Sequence, residues 1–208
     1  MQTLLKTPRS ALLFYPDFYP LTDALKKCLD NIPLNHKPEV RVFNKICHQQ
    51  RNVGFYSDGT VGYTYSGQTT NIFPLSPHPE LVSVLEKVNE DLSLDFNGIL
   101  INEYVDGSNT IGAHSDNETG LEELDVVIDH GDFKLWGSVV VSLAYGAARK
   151  FRVRDKKTKK IVLDVDHTPG GLLLMVGDFQ KEFTHEIPKQ MKIKEGRTSL
   201  TFRKHGEK

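Results

Sequence analysis

The second half of the chain constrains the fold most. From residue 98 onward short apolar or alternating runs recur at Ile99–Val105, Ser138–Ala144, Lys150–Arg154, Ile161–Val165, Leu172–Val176 and Thr198–Arg203, the pattern of β-strands. Turn residues separate them, among them Asp106-Gly107, Gly112, Pro169-Gly170-Gly171, Gly177-Asp178 and Gly196, and no segment of helical periodicity intervenes. Parallel neighbours need a long, usually helical, crossover, so the pattern predicts a mainly antiparallel sheet folded as a sandwich or barrel.

Upstream the periodicity is helical. Leu21, Leu25 and Leu29 recur at spacing four after Pro20, predicting a short amphipathic helix over 20–30. After Pro79, Leu81, Leu85, Val88 and Leu92 line one face and Glu86, Lys87, Glu90 and Asp91 the other, predicting a second helix. The class is therefore α+β, mainly β, with the N-terminal helices packed on the sheet. A chain of 208 residues, 38% hydrophobic and without repeats or linkers, is expected to form a single domain, 1–208, with residues 10–97 leading into a core at 98–205. No run reaches the roughly 18 apolar residues of a membrane span. The first residues lack a long apolar signal segment, and Cys28 and Cys47 are too few for a disulfide framework. An intracellular monomer is expected, in nucleus or cytoplasm, with no membrane partner.

Charge is segregated although its sum is -1. Residues 117–134 hold six acids and one lysine, a balance of -5, whereas residues 149–160 hold eight bases and one aspartate, a balance of +7. In the basic segment Phe151 and Val153 alternate with Arg152 and Arg154, so a strand places the apolar pair inward and the arginines outward. Lys156, Lys157, Lys159 and Lys160 then fall at a hairpin tip, either a solvated basic turn or an arm for phosphate.

Two constellations can carry chemistry. His114 and Asp116 lie at i and i+2, on one side of an extended chain, and His185 follows the Leu172–Val176 strand and its Gly177-Asp178 turn. Two histidines and one carboxylate make the facial triad of non-haem Fe(II) sites, which leaves positions open for a chelating cosubstrate and dioxygen. The other histidines, His36, His48, His78, His130, His167 and His205, have no such pairing and are expected at the surface or in loops. In the last strand, period two puts Arg197, Ser199, Thr201 and Arg203 on one face and Thr198, Leu200 and Phe202 on the other. Two arginines facing into a barrel require an anion, and a dicarboxylate answers that requirement through paired hydrogen bonds. Asn102 and Tyr104 share a strand face and can offer an amide and a phenol to the same ligand.

Asn102-Glu103-Tyr104, His114-Ser115-Asp116, His185 and Arg197-Thr198-Ser199-Leu200-Thr201-Phe202-Arg203, in this order, resemble the motifs of the AlkB family of Fe(II)- and 2-oxoglutarate-dependent dioxygenases. The resemblance covers about residues 10 to 205. It implies a double-stranded β-helix, or jelly roll, with a nucleotide-recognition lid in the upstream region. It implies that His114, Asp116 and His185 bind iron, and that Arg197 pairs with the distal carboxylate of 2-oxoglutarate. Asn102, Tyr104 and Ser199 would contact that cosubstrate, and Arg203 would lie near its keto-acid end. The upstream Val42-Phe43-Asn44-Lys45 is most similar to the vertebrate member that repairs double-stranded DNA, in which the phenylalanine wedges into the stack left by a flipped base. By the same resemblance Tyr63 and Tyr65 belong to the lid, and Tyr65 and His114 sandwich the base. Arg51, Asn117, Glu118, Arg152 and the lysines 156, 157, 159 and 160 join the substrate contacts.

The activity so implied is oxidative demethylation of 1-methyladenine and 3-methylcytosine in DNA, and in RNA as well, releasing formaldehyde, succinate and CO2. Three departures stand out. Ser199 replaces the family's usual asparagine, Asn117 replaces an aspartate that reads the base, and the acidic stretch 117–134 is long. These keep two alternatives open: an oxygenase acting on protein or another macromolecule, and a nucleic-acid-binding module without catalysis.

Overall fold

The computed structural model describes residues 1–42, 45–60, 63–65, 68–116, 128–129, 134–135 and 137–206, with only the backbone of 41–42, 63–65, 68–70, 128–129 and 134–135. Strands β1 (Gln2–Lys6) and β2 (Ser10–Tyr15) lead to helix α1 (Asp23–Asn31). Next come β3 (Glu39–Val42), β4 (Lys45–His48), β5 (Asn52–Ser57), β6 (Tyr63–Tyr65), β7 (Gln68–Thr70) and β8 (Ile72–Phe73), then α2 (Pro79–Leu92). Strands β9 (Gly98–Tyr104), β10 (Ile111–His114), β11 (Ile128–Asp129) and β12 (Lys134–Leu135) precede the long β13 (Ser138–Gly146). The chain closes with β14 (Arg149–Asp155), β15 (Ile161–His167), β16 (Leu172–Gly177), the short α3 (Phe179–Glu182), β17 (Phe183–Ile187) and β18 (Arg197–Arg203).

Eight strands form a major sheet in the order β1-β2-β16-β13-β18-β9-β5-β8, and four form a minor sheet in the order β10-β17-β14-β15. The pairings are antiparallel apart from β5 with β8. The two facing sheets make the jelly roll, and period-two alternation decides what each face of the major sheet meets. Leu172, Leu174 and Val176 of β16, with Val139, Val141, Leu143, Leu200 and Phe202, pack against Leu25 of α1 and Leu81, Val84, Leu85 and Val88 of α2. Their neighbours Leu173, Met175 and Val140, with Leu12 and Phe14, face inward onto Phe151, Val153, Phe183 and Ile187 of the minor sheet. Each such side chain contributes roughly 1.5–3 kcal/mol by leaving water.

Local chemistry sets the helix ends. The Thr22 side chain accepts the Leu25 N–H at 3.1 Å and caps α1, so this helix runs from Asp23 to Asn31 rather than over the predicted 20–30. Pro79 sits in the first turn of α2, and left-handed Ser93 (φ 54) ends it. The upstream region also supplies β1, β2, β5 and β8 to the major sheet. Among the described residues no helix is long and apolar enough to cross a membrane.

Candidate metal and cosubstrate site

The sheet register assembles the triad. Strands β10 and β17 pair with His114 opposite His185, and Asp116 follows β10 by two residues. The candidate ligand atoms of these three residues lie within 4.8 Å of one another. Oδ1 of Asp116 is 3.6 Å from His114 Nε2, and Oδ2 is 3.5 Å from His185 Nε2. His114 Nδ1 is 2.9 Å from the Gly112 carbonyl. A carbonyl only accepts, so Nδ1 carries the proton and the Nε2 lone pair is left for a metal. Phe151 stacks on His185 at 5.0 Å and 15° and holds that ring in plane.

Two contacts fix Asp116. Its N–H donates to the Gln180 side-chain oxygen at 2.9 Å, and Arg203 Nη2 donates to its Oδ1 at 2.7 Å. Burial on its own raises this carboxyl, but the Arg203 charge, His185 and the His114 contact outweigh it and hold the group well below the usual carboxylate range. Burial, and then the neighbouring His114, push His185 down to about 3. An ionised carboxylate beside neutral imidazoles is the donor set a divalent iron requires.

Strand β18 brings the second constellation to the same cavity. It pairs with β9 so that Ser199 faces Asn102 and Arg197 faces Tyr104. Arg197, Ser199, Thr201 and Arg203 all point inward, as period two predicts, and line one cavity with Asn102, Tyr104, Arg51 and the triad. The Arg197 guanidinium lies 5.3 Å from the Tyr104 ring centroid, and its Nη2 donates to His167 Nδ1 at 3.2 Å. Its Nε and Nη1 have no partner among the described residues. Burial lowers its pKa to about 10, so it keeps its charge at neutral pH. A buried cation with unused donors fits a carboxylate, and with the triad it makes the cavity a match for iron and a 2-oxo dicarboxylate. Arg51 Nε donates to Asn102 Oδ1 at 2.7 Å. Because a guanidinium only donates, the Asn102 oxygen must face it, which leaves the Asn102 amide protons to donate elsewhere.

Other expectations divide. Phe43, Asn117 and Glu118 lie outside the described residues, and Tyr63 and Tyr65 are described only as backbone of β6. Hairpin β14–β15 forms as expected, with Phe151 and Val153 buried. Its cations, however, do not form one free surface. Arg149 is fully buried, Arg152 pairs with Asp164 at 2.7 and 2.8 Å, and Arg154 pairs with Glu186. Lys156 turns inward to donate to the Gln180 carbonyl at 2.6 Å, while Lys157, Lys159 and Lys160 are exposed. The expectation for the spare histidines is corrected at two positions: His167 and His205 are buried. His167 ends β15 where the chain crosses between sheets, and His205 packs on Phe55 at 4.8 Å. Gln180 and Phe151 support the triad without any local motif to mark them, for Gln180 reaches Asp116 from α3 and Phe151 reaches His185 from β14.

With this geometry in place, comparison with known proteins is direct. Residues 19–203 match the 2OG-Fe(II) oxygenase superfamily, and the chain belongs to it. Fe(II), 2-oxoglutarate and dioxygen are accordingly its cofactor and cosubstrates. Within that superfamily its relatives place it in the AlkB family. It is 28% identical to human alpha-ketoglutarate-dependent dioxygenase alkB homolog 3 over 215 residues, 97% of this chain and 68% of that protein. It is 34% identical to the bovine DNA oxidative demethylase ALKBH2 over 178 residues, 79% of this chain and 56% of that protein. The solved structure of OsALKBH1 superposes with a TM-score of 0.55 at 18% identity, over 98% of this chain and 100% of that one. A prolyl hydroxylase from Trichoplax adhaerens, in complex with a hypoxia inducible factor peptide, gives 0.54 at 11% identity, over 93% and 83%. These two likenesses concern the fold.

Proposed function

We propose that the chain removes N-methyl groups from 1-methyladenine and 3-methylcytosine in DNA, and from the same bases in RNA. The observation that carries this reading is one cavity holding both a His-Asp-His cluster and a buried arginine with unused donors, in a chain whose relatives include a DNA oxidative demethylase. His114, Asp116 and His185 hold the iron. Arg197 takes the distal carboxylate of 2-oxoglutarate, the Asn102 amide and the Tyr104 hydroxyl donate to the cosubstrate, and Ser199 lines its bed. Arg203 keeps Asp116 ionised and lies near the keto-acid end. When bound, iron, 2-oxoglutarate and dioxygen supply hydroxylation of an unactivated C–H bond, with 2-oxoglutarate leaving as succinate and CO2. A hydroxylated N-methyl group departs as formaldehyde, and the ring nitrogen recovers its lone pair.

The remaining residues bring the base in and keep water out. A stacked base cannot reach a buried metal, so it must flip. Phe43 serves as the wedge, Tyr65 with His114 clamps the flipped base, and Tyr63, Arg51, Asn117 and Glu118 surround it. Lys157, Lys159 and Lys160 approach phosphates, with Arg152 behind them already committed to Asp164. Leu100, Ile111, Phe151, Met175 and Ile187 line the cavity with apolar surface and exclude water from the reacting centre. The test is mass spectrometry of oligonucleotides carrying either methylated base, after incubation with iron-loaded chain and 2-oxoglutarate. The expected result is conversion to the unmodified base by the wild type and none by Asp116→Asn. Unchanged oligonucleotides of every type, single- and double-stranded, with the wild type contradict the reading.

A further inference from the structure

A buried guanidinium ordinarily faces a carboxylate, which neutralises it. The side-chain partner recorded for Arg197 is instead an imidazole, Nδ1 of His167. His167 is itself fully buried, at the end of β15 in the minor sheet, and reaches across to β18 in the major sheet. Its Nε2 is 2.8 Å from the Gly171 carbonyl. That carbonyl can only accept, so Nε2 carries the proton, and the Nδ1 lone pair must accept from Arg197. The tautomer is thus fixed from both sides.

The ring cannot easily turn away. Phe14 and Phe151 meet it edge-on, with centroids 6.3 and 6.4 Å distant. The connection behind it is a tight turn, with left-handed Gly170 (φ +74) donating its N–H to the Ala144 carbonyl at 2.7 Å and Gly171 donating to Thr168 at 3.1 Å. Burial, and then the Arg197 charge, push His167 down to about 3, so it carries no charge at neutral pH. The Tyr104 ring covers Arg197 on another side. Arg197 is therefore held by groups that leave its charge intact.

We propose that His167 is the positioning residue of the cosubstrate site, an acceptor that fixes the Arg197 guanidinium without neutralising it and so confers preference for a dicarboxylate over a monocarboxylate 2-oxo acid. This rests on the reading that Arg197 takes the distal carboxylate. An aspartate in the same place would orient the guanidinium equally well but would satisfy its charge from within, and a ligand carboxylate would then meet a neutral pair.

The experiment is calorimetric titration of the Mn(II)-loaded full chain with 2-oxoglutarate and with 2-oxopentanoate, which lacks the distal carboxylate, together with titration of Mn(II) itself. His167→Ala is expected to weaken 2-oxoglutarate on the order of ten- to a hundredfold, the worth of one hydrogen bond to a charged group, with 2-oxopentanoate and Mn(II) nearly unchanged. His167→Asn, whose amide oxygen can stand in for Nδ1, is expected to recover most of the loss, and His167→Asp to lose the dicarboxylate preference. Retention of the wild-type preference by His167→Ala overturns the proposal. So does parallel weakening of both acids and Mn(II), which would mark a purely structural histidine. Arg197→Met separates this from the underlying reading. If that variant keeps the preference, the assignment of Arg197 fails; if it loses the preference while His167→Ala does not, only the role of His167 fails.

Discussion

Arg149 and Arg197 flank the same tyrosine, yet the chain uses them in opposite ways. Both are buried, and their guanidinium carbons lie 5.8 and 5.3 Å from the Tyr104 ring centroid. Arg149 donates to the carbonyls of Asp106, Asn109 and Pro188 at 2.9–3.0 Å and to the Gln190 side chain at 3.3 Å, tying two loops together. Arg197 keeps Nε and Nη1 unused among the described residues. Arg203 stands between them, bonded to the Asp116 carboxylate. Burying a charge is costly unless it is satisfied, so the arginine the fold leaves unfinished is the one reserved for a ligand.

The largest effect concerns the intermediate case. Asp116→Asn removes a metal ligand and the counter-charge of Arg203 together, and Mn(II) affinity is expected to fall by more than about a hundredfold, beyond the range for supporting partners of a metal site. Next comes the pair itself, followed by chemical denaturation of the metal-free chain. Arg149→Met strands three carbonyls, that of Asn109 buried and those of Asp106 and Pro188 part-buried, and is expected to cost roughly 3 kcal/mol. Arg197→Met removes a charge the fold does not satisfy, so stability is expected to hold or rise by about 1–4 kcal/mol while 2-oxoglutarate binding is lost. Equal destabilisation by both substitutions would break the comparison.

A smaller effect is the pH dependence of stability. Burial pushes His167 and His185 down to about 3 and His205 down to about 4, all below the ordinary histidine value. Above that value both folded and unfolded chains are neutral at these positions. Below it the unfolded chain takes up protons that the folded chain refuses, so stability is expected to decline as pH falls from about 6.5 to about 4. Urea midpoints across that range measure it, and His167→Asn should flatten the slope. Asp116, held low, adds its own loss only at still lower pH. The smallest effect belongs to the hairpin. Replacing Lys157, Lys159 and Lys160 by alanine should lower the salt dependence of oligonucleotide binding by about one unit of log–log slope per lost phosphate contact. Lys156→Ala should leave that slope unchanged, because its ammonium is held by the Gln180 carbonyl.

What could be read from the sequence was whatever depends on spacing along one strand. The alternation in 197–203 placed two arginines inward, and the i, i+2 pair placed His114 and Asp116 together. Strand β2 escaped because it is covered on both faces, and Ser10-Ala11-Leu12-Leu13-Phe14-Tyr15 therefore shows no alternation. The pairing within the basic segment was hidden for a different reason: the partners of its arginines, Asp164 and Glu186, arrive on β15 and β17. His167 was equally hidden, since its link to Arg197 exists only where the minor sheet crosses to the major one. Local patterns show which way a side chain points, and the neighbouring strands decide what it meets.

The most direct test of the account is the coupling between substrate and cosubstrate. Iron-loaded chain is given 2-oxoglutarate with a 1-methyladenine or 3-methylcytosine oligonucleotide, and succinate and formaldehyde are measured together. The account predicts that the methylated oligonucleotide stimulates succinate formation and that the two products appear in equal amounts. Succinate formed at the same rate with and without methylated DNA or RNA, and no formaldehyde, would contradict it.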